Sequence, residues 1–297
     1  MSAGHDHHHV HSSGKVLFWA LGLTTFFAFV EAVAGWLANS LALMGDAGHM
    51  ITDSFALGIA AVAAWLANKG ATRSHSFGLG RVEFLAALLN SVTMLALVAY
   101  IVVESVLRLL SPEPVEGHVV MVVAVLGLLV NLLVAWIFSR GEKNVNTRGA
   151  MLHVMGDLLG SVAAIISGVV ISLTGWMKID PILSIFISLL ILYSTIRLLR
   201  EAIHALMDGV PHNLSPEDVQ TAMAAVPGVA AIHDLHVWSL TSSQTSLTAH
   251  VVVDDLSHWP QVWDAMRDVL KNGFGIEHYT LQVENTDMAP RCDTPHH

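Results

Sequence analysis

Six long apolar segments are the feature that most constrains how this 297-residue chain can fold. Each has about the 20 residues that an α-helix needs to cross the ~30 Å hydrocarbon core of a bilayer. Lipid offers no hydrogen-bond partners, so backbone inside a membrane must pair with itself, and the segments are predicted to be helices. An all-α membrane domain of six spans is therefore predicted over residues 16–207, with spans at Val16–Trp36, Leu41–Ala67, Phe84–Leu110, Val119–Phe138, Ala150–Leu173 and Ile182–Leu199.

The composition also points to lipid as the solvent for most of the chain. Hydrophobic residues make up 54% and charged residues only 13%, whereas a soluble domain is about 25% charged. The charge is unevenly spread, because the residues from Asp208 onward include twelve acids and three Lys or Arg, against twelve acids and eleven bases before them. Neither part is basic enough to bind nucleic acid. Cys292 is the single cysteine of the sequence, so no intrachain disulfide can form.

The positions of the basic residues predict the orientation of the spans. Cytoplasmic loops of membrane proteins carry an excess of Lys and Arg. Nine of these residues fall on one side of the predicted membrane, and two, Arg108 and Lys178, fall on the other. We therefore expect an integral protein of a bacterial plasma membrane with both of its termini in the cytoplasm.

Residues 208–287 have a pattern typical of a small cytosolic α+β domain. Ser215, Pro216 and Glu217 provide an N-cap, a proline at the first helical position and an acid in the first turn. The β-rich runs and a second helical pattern follow in the order αββαβ, which predicts a ferredoxin-like sheet with helices on one face. The predicted strands are Val229–Trp238, Ser246–Val253 and Ile276–Glu284, and the second helix is Trp259–Phe274.

The two polar ends of the chain are predicted to be disordered tails. Residues 1–15 contain five histidines, and residues 288–297 contain Cys292, His296 and His297. Polar tracts of this kind do not bury enough apolar surface to fold. Their histidines could load or buffer a metal ion.

Two of the spans carry the same ionisable motif, His-x-x-x-Asp. The second span has it at His49 and Asp53, and the fifth has it at His153 and Asp157. Residues four apart share one face of a helix, so two such helices facing each other offer two imidazole nitrogens and two carboxylate oxygens. That set suits a closed tetrahedral Zn²⁺ shell. The alternative is that these residues only hold helices together, but an Asp at a helix centre costs about 2.5–3.5 kcal/mol and helices can be joined with neutral polar residues.

Other ionisable residues of the spans have simpler interpretations. Asp46 shares the face of His49 and Asp53, where it could orient a ligand or line an outer vestibule. Glu104 precedes Arg108 by four residues, which favours an ion pair within one helix. Glu31 is predicted to lie near the outer interface and to be structural.

The two motifs do not start from the same level. The second-span motif lies about 15 residues from the cytoplasmic end of its span and the fifth-span motif about 6, a difference of ~13 Å at 1.5 Å per residue. We expect the second helix to extend well into the cytosol.

Several further stretches make the chain resemble a cation diffusion facilitator of the zinc-transporting branch. The resemblance covers nearly everything from Val16 to Glu284 and implies six spans, a cytosolic ferredoxin-like domain and a homodimer that exchanges a divalent metal for protons. It assigns the transport ligands to His49, Asp53, His153 and Asp157, with His49 favouring zinc. The stretches that carry it are Asn39–Leu43 leading to Asp46, His75–Gly78, Gly80, Arg81 and Glu83, Leu206–Asp208, and His233–Trp238.

The resemblance also implies sites outside the membrane. A second metal site in the loop after the second span would use His75, although Leu79 replaces a second histidine, which makes this site weak or absent. Arg81 and Asp208 match a charge pair that ties the membrane part to the tail domain. The cytosolic residues that match regulatory zinc ligands are His233, His250, His278 and Glu284. His236 would face away from His233 on a regular strand.

The predicted function is proton-coupled efflux of divalent metal, with Zn²⁺ as the preferred substrate, Co²⁺ and Cd²⁺ as alternative substrates, and Zn²⁺ as a regulatory ligand. Metal ligands must be deprotonated, so an empty intramembrane shell takes up protons that cytosolic Zn²⁺ later displaces. No covalent chemistry is required, and a zinc protease would need a base beside its ligands, as in His-Glu-x-x-His. A membrane-bound metal sensor is the alternative, although a sensor does not need four ionisable groups inside the bilayer.

Overall fold

The computed structural model describes residues 10–67, 71–140 and 145–286. The chain divides into two compact units, one made of residues 1–59 and 89–198 and the other of residues 60–88 and 199–297. Residues 1–9 of the predicted N-terminal tail and the whole predicted C-terminal tail, residues 288–297, lie outside the described residues, together with most of the tail histidines and Cys292.

Six long helices form the membrane part, as predicted. Among the described residues, five of them, α1 and α3 to α6, contain windows long and apolar enough to cross a membrane. The bounds are α1 Val10–Ala38, α2 Leu41–Ala67, α3 Val82–Leu110, α4 Gly117–Arg140, α5 Val145–Thr174 and α6 Ile179–Leu206.

The beginning of α1 corrects the predicted extent of the N-terminal tail. The helix begins at Val10, so residues 10–15, which were expected to be disordered, are helical. Polarity alone does not end a helix, and this stretch contains no proline to interrupt the backbone ladder.

The N-terminal end of α5 corrects the expected difference in level between the two motifs. This helix begins at Val145 rather than near Ala150, while α2 has the bounds that the sequence predicts. The predicted start of α5 was therefore too late, and this error accounts for part of the predicted difference in level. Helix boundaries are hard to predict where apolar and polar residues mix. His49 Nε2 and Asp157 Oδ1 lie 3.9 Å apart, so the motifs meet at one level.

A buried carboxylate fixes the N-terminal end of α2. Asp180, at the start of α6, accepts hydrogen bonds from Ser40 Oγ at 2.6 Å, from the Leu41 amide at 2.7 Å and from Ser167 Oγ at 3.1 Å. A carboxylate at a helix N-terminus satisfies free amide groups and complements the helix dipole. Asp180 thereby ties the beginning of the motif-bearing α2 to α5 and α6.

The helices α4 and α5 approach each other closely at Gly168. A Cβ atom on this residue would lie 2.6 Å from the Met121 amide nitrogen and 2.7 Å from the Gly117 carbonyl oxygen. Both neighbours are backbone atoms, so neither can rotate away, and small residues are what allow membrane helices to pack this closely.

We expect Gly168→Ala to lower stability by about 1–3 kcal/mol, the usual cost of overpacking. The measurement is the thermal unfolding midpoint of the protein in detergent. Gly156→Ala on the same helix is the control, because a Cβ there meets nothing within 4 Å. Equal midpoints for the two variants would contradict close α4–α5 packing.

The cytosolic domain has the predicted αββαβ order. Ser215 caps α7 by accepting a hydrogen bond from the Asp218 amide at 3.1 Å. The strand β2 pairs antiparallel with β1 and parallel with β3, and the apolar face of the sheet is covered by residues of α7 and α8 such as Met223 and Met266. The elements are α7 Pro216–Ala224, β1 Val229–Ser239, β2 Thr245–Val253, α8 Trp259–Asp268, which continues as a wider turn over Val269–Gly273, and β3 His278–Asn285.

A bulge in β1 changes which histidines share a face. His233 pairs with His250, but His236 pairs with Thr248, so the strand has one residue more than its partner between these pairs. Asp234 lies in the bulge with a φ of 51°. Because paired residues project to the same side of a sheet, His236 faces the same way as His233, and the expectation from a regular strand is wrong.

Candidate metal centres

Three of the four predicted intramembrane ligands lie close together. His49 Nδ1 is 3.7 Å from Asp53 Oδ2 on the same helix, and His49 Nε2 is 3.9 Å from Asp157 Oδ1 on α5. Asp157 is only 2% exposed. Ligand atoms of a tetrahedral zinc ion with bonds of about 2.1 Å are separated by about 3.4 Å, so these spacings are near those of a metal site.

The three residues form an open arrangement rather than a finished shell. The two carboxylates flank opposite nitrogens of the His49 ring, and one ion can bond only one of those nitrogens. Closing a shell therefore requires a side-chain rotation of Asp53 or Asp157. His153 belongs to α5, one turn before Asp157, but its side chain lies outside the described part of the structure.

Two more carboxyl groups are buried in the same unit. Asp46 is 2% exposed, and its Oδ1 lies 2.6 Å from where a Cβ on Gly160 would be, so glycine on α5 makes room for it. Glu31 on α1 is only 1% exposed, so the prediction that it lies near the interface is wrong. By contrast, the predicted pair is confirmed on α3, where Arg108 Nε lies 3.1 Å from Glu104 Oε1.

The cytosolic domain contains a compact cluster of two histidines and a glutamate. Glu284 is fully buried; its Oε2 lies 3.0 Å from His233 Nε2 and its Oε1 lies 2.8 Å from His250 Nδ1. One potential ligand atom from each residue lies within 4.8 Å of the others. Two imidazoles and a carboxylate are a ligand set that suits Zn²⁺, and a tetrahedral ion would take one further ligand.

Asp234 extends this cluster on the side away from Glu284. Its Oδ2 lies 3.5 Å from His250 Nε2, and its Oδ1 lies 3.0 Å from His236 Nε2. A carboxylate on the second nitrogen of a metal-binding histidine fixes the tautomer of the ring. The bulge therefore brings both Asp234 and His236 to the edge of the cluster.

The fourth predicted regulatory ligand, His278, does not join the cluster within this chain. It begins β3 and pairs with Ser246, whereas Glu284 lies six residues further along the same strand. At about 3.3 Å per residue, the two lie roughly 20 Å apart. The His278 ring instead contacts Phe77, with ring centroids 5.8 Å apart.

The loop before α3 packs with the cytosolic domain in one unit. Arg81 forms an ion pair with Asp208, and Glu83 Oε2 accepts hydrogen bonds from the Ser242 amide at 3.1 Å and from Ser242 Oγ at 2.7 Å. His75 is exposed, and its Nδ1 lies 3.1 Å from Ser74 Oγ. The described residues place no other metal-ligating cluster at His75.

The sequence interpretation missed two residues that the structure places at these centres. Asp234 directly follows His233, but the bulge that turns it toward His250 depends on strand pairing and has no local signal. Glu31 had a usable signal, an acid within an apolar run. Its closeness to the C-terminal end of α1 led to the wrong prediction.

Both parts of the chain match models of known protein domains. Residues 17–207 match a cation efflux transmembrane domain, and residues 211–286 match the cytoplasmic domain of cation efflux proteins. The first match alone covers more than half of the chain.

Curated relatives match over almost the full length. A "cadmium, cobalt and zinc/H(+)-K(+) antiporter" of Bacillus subtilis is 39% identical, over 97% of this chain and 96% of its own length. The zinc transporter ZitB of Escherichia coli is 40% identical over 94% of this chain and 92% of its own. The metal cation efflux system protein CzcD of Cupriavidus metallidurans is 40% identical, over 98% of this chain and 92% of its own length.

Proposed function

From the premise that this chain belongs to the cation diffusion facilitator family of cation efflux proteins, we propose that it exports Zn²⁺ from the cytosol in exchange for protons. The protein is an integral membrane transporter, like the members of its family and its named relatives, and it is not an enzyme. The relatives carry names for zinc, cadmium, cobalt and proton antiport. We propose the same substrates for this chain. It would act as a homodimer in a bacterial plasma membrane, with both termini in the cytoplasm.

One observation carries the proposal, namely the contact of His49 with acids from two different helices. Asp53 on α2 and Asp157 on α5 flank the ring at 3.7 and 3.9 Å. Helix-joining polar contacts would not need two acids beside one imidazole. His153, one turn before Asp157, would complete a shell of two nitrogens and two oxygens.

The same residues explain why protons are the exchange partner. A shell with two aspartates takes up protons when it holds no metal, and Zn²⁺ binds only after those protons leave. If α2 and α5 move relative to each other, the shell opens first to the cytosol and then outward. Cytosolic Zn²⁺ displaces protons in the first state, and outer protons displace Zn²⁺ in the second.

Zinc uptake by vesicles containing the purified protein tests this function. We expect Zn²⁺ to accumulate in the vesicles only when the proton gradient is directed outward, opposite to the zinc flux. We expect protons to leave the vesicles as zinc enters. A membrane-bound sensor would bind zinc without moving it. Zinc flux that ignores the proton gradient would contradict antiport while leaving efflux intact.

We further propose that the cytosolic cluster of His233, His250 and Glu284 binds regulatory Zn²⁺. These residues would hold the ion between β1, β2 and β3, with Asp234 orienting His250. The ion would join three strands and stabilise the domain when cytosolic zinc is high. Because the cluster lies on sheet residues and not on the helices that carry His49 and Asp157, it would tune transport without carrying the transported ion.

We expect His233→Ala to shift the zinc concentration for half-maximal flux by several-fold and to leave the maximal rate measurable. The reason is that a two-ligand remnant binds zinc more weakly, while the transport shell is unaltered. His258→Ala is the control, since His258 is a 68% exposed histidine of the same domain. A His233→Ala protein without any transport would place the cytosolic cluster on the transport path.

A further inference from the structure

One buried acid binds groups from both of the helices that carry the proposed transport ligands. Asp180, at the start of α6, is fully buried, and its Oδ1 accepts hydrogen bonds from Ser40 Oγ at 2.6 Å and from Ser167 Oγ at 3.1 Å. Its Oδ2 accepts a hydrogen bond from the Leu41 amide at 2.7 Å. Ser40 and Leu41 lie at the beginning of α2, and Ser167 lies on α5. A single carboxylate therefore joins three helices, and we call these contacts the Asp180 clamp.

The Asp180 clamp lies within apolar packing between the same helices. Ala42 in the first turn of α2 shares a buried cluster with Ala164 and Ile171 of α5. These two α5 residues lie one turn before and one turn after Ser167. Hydrogen bonds to a charged group are stronger in such surroundings than in water, and a buried carboxylate that lost its donors would be strongly destabilising. The clamp is therefore a rigid contact.

The turn that leads into α2 is held from the other side. Asn39 has a φ of 54°, in the left-handed region that asparagine tolerates. Its carbonyl oxygen accepts a hydrogen bond from Arg108 Nη1 at 2.7 Å, and its side-chain amide donates one to Glu113 Oε2 at 3.0 Å. Ser40 and Leu41 follow directly, so their donors reach Asp180 from a fixed turn.

The clamp lies at a similar distance from both parts of the transport shell. Along α2, His49 follows Leu41 by eight residues, or about 12 Å. Along α5, Asp157 precedes Ser167 by ten residues, or about 15 Å. The two helices are thus joined at two levels, and the lengths between these levels agree to about 3 Å. The register of the clamp is the register that brings His49 to within 3.9 Å of Asp157.

We propose that Asp180 is a positioning residue for the transport shell, because the clamp sets the register in which α2 and α5 oppose each other. This inference rests on the proposed transport function of that shell. A slide of α5 by one helical turn, about 5.4 Å, would bring Ser161 instead of Asp157 opposite His49. With the clamp intact, α2 and α5 can tilt about this end of the bundle but cannot slide past each other, so the same ligands serve both states of the transport cycle.

A simple capping role for Asp180 makes a different prediction. A cap of α2 needs the bonds from Ser40 and Leu41, whereas the bond from Ser167 contributes nothing to that cap. A positioning role needs Ser167, because this hydroxyl group is the donor through which Asp180 holds α5. Ser167 lies about 15 Å along α5 from Asp157, so its loss removes no metal ligand.

Ser167→Ala therefore tests the proposal. We expect the zinc concentration for half-maximal flux to rise about fivefold and the ratio of the initial rates for Cd²⁺ and Zn²⁺ to rise about threefold. The reason is that a shell whose ligands are displaced by a fraction of an ångström fits the smaller ion less well. Both parameters are measured as initial uptake by vesicles that contain the purified protein.

Ser184→Ala is the matched control. Ser184 is a buried serine of α6, and its hydroxyl group donates to the backbone carbonyl oxygen of Asp180 at 2.7 Å, within its own helix. Its removal deletes a similar buried hydrogen bond but leaves the clamp intact, so both parameters should equal those of the wild type. Similar unfolding midpoints of the two variants in detergent would separate a change in the shell from a general loss of stability.

Two substitutions at Asp180 separate hydrogen bonding from charge. Asp180→Asn keeps an oxygen for the Leu41 amide, and its amide group can donate to the hydroxyl oxygens of Ser40 and Ser167. We expect this variant to transport zinc at more than about half the wild-type rate, and Asp180→Ala, which removes the whole clamp, at less than about a tenth. An Asp180→Asn protein as inactive as Asp180→Ala would assign the role to charge instead of position and would overturn the proposal.

The remaining outcomes are equally decisive. A Ser167→Ala protein with the wild-type zinc dependence and metal ratio would show that Asp180 only caps α2, and this too overturns the proposal. If Asp180→Ala does not insert, Ser167→Ala and Asp180→Asn still decide the question. A wild type that moves no zinc rejects the proposed transport function itself, which is a distinguishable failure.

Discussion

Replacing Asp157 by alanine is expected to reduce zinc flux to that of empty vesicles. Asp157 is the buried carboxylate that α5 brings to His49 on α2, at 3.9 Å. Without it the shell loses one ligand and one negative charge, so a dication in the low-dielectric interior is no longer neutralised. We expect the variant to insert and to form dimers, because the contacts that assemble the helices lie elsewhere, at Gly168 and at Asp180. The measurement is initial uptake of Zn²⁺ by vesicles.

Leu159→Ala is the control for this prediction. Leu159 lies two residues from Asp157 on the same helix and is 57% exposed in the described structure. It should transport zinc at the wild-type rate, which separates loss of a ligand from general damage to α5. Normal flux through the Asp157→Ala protein would show that α2 and α5 do not share one metal site.

The helical periodicity of the sequence was enough to find the intramembrane motif. The spacing of His49 and Asp53 places them on one face of α2, and that spacing is a local property of any helix. That α2 and α5 meet is a long-range property, and it was inferred only because the motif occurs twice. The level of the contact could not be read from the sequence, because the start of α5 at Val145 lies where apolar and polar residues mix.

Glu31 shows where burial cannot be inferred from position along a span. An acid near the end of an apolar run can reach the interface or turn inward, and both choices give the same sequence pattern. The choice is made by Gly127, almost 100 residues later, which leaves the space that the carboxyl group fills. Such pairing between distant residues has no signal within either helix.

The cytosolic domain shows the corresponding limit for strands. The order of the elements and the closeness of His233 and His250 agree with the pattern of β-rich runs. The prediction that His236 lies on the opposite face of the sheet from His233 is wrong. One bulge residue moves every later side chain of β1 to the other face. His278 was grouped with Glu284 by resemblance alone, and the register of β3 places them at opposite ends of that strand.

Exchanging His49 for aspartate is expected to change which metal the protein transports. His49 provides an imidazole between Asp53 and Asp157, and His49→Asp would convert a shell of two nitrogens and two oxygens into one of one nitrogen and three oxygens. Imidazole suits Zn²⁺, whereas carboxylate-rich shells accept larger or harder ions. We expect transport to persist, with the rate ratio of Cd²⁺ or Mn²⁺ to Zn²⁺ rising about tenfold, equivalent to about 1.4 kcal/mol of relative binding.

The experiment compares initial uptake of Zn²⁺, Cd²⁺ and Mn²⁺ by vesicles with wild type and variant. His118→Asp is the matched control, because it makes the same exchange at an exposed histidine in the first turn of α4, and its metal ranking should equal that of the wild type. If His49→Asp also keeps the wild-type ranking, then His49 does not contact the ion. The contacts at 3.7 and 3.9 Å would then be electrostatic contacts of a helix-joining histidine, and the ligands would have to be sought among Asp53, His153 and Asp157 alone.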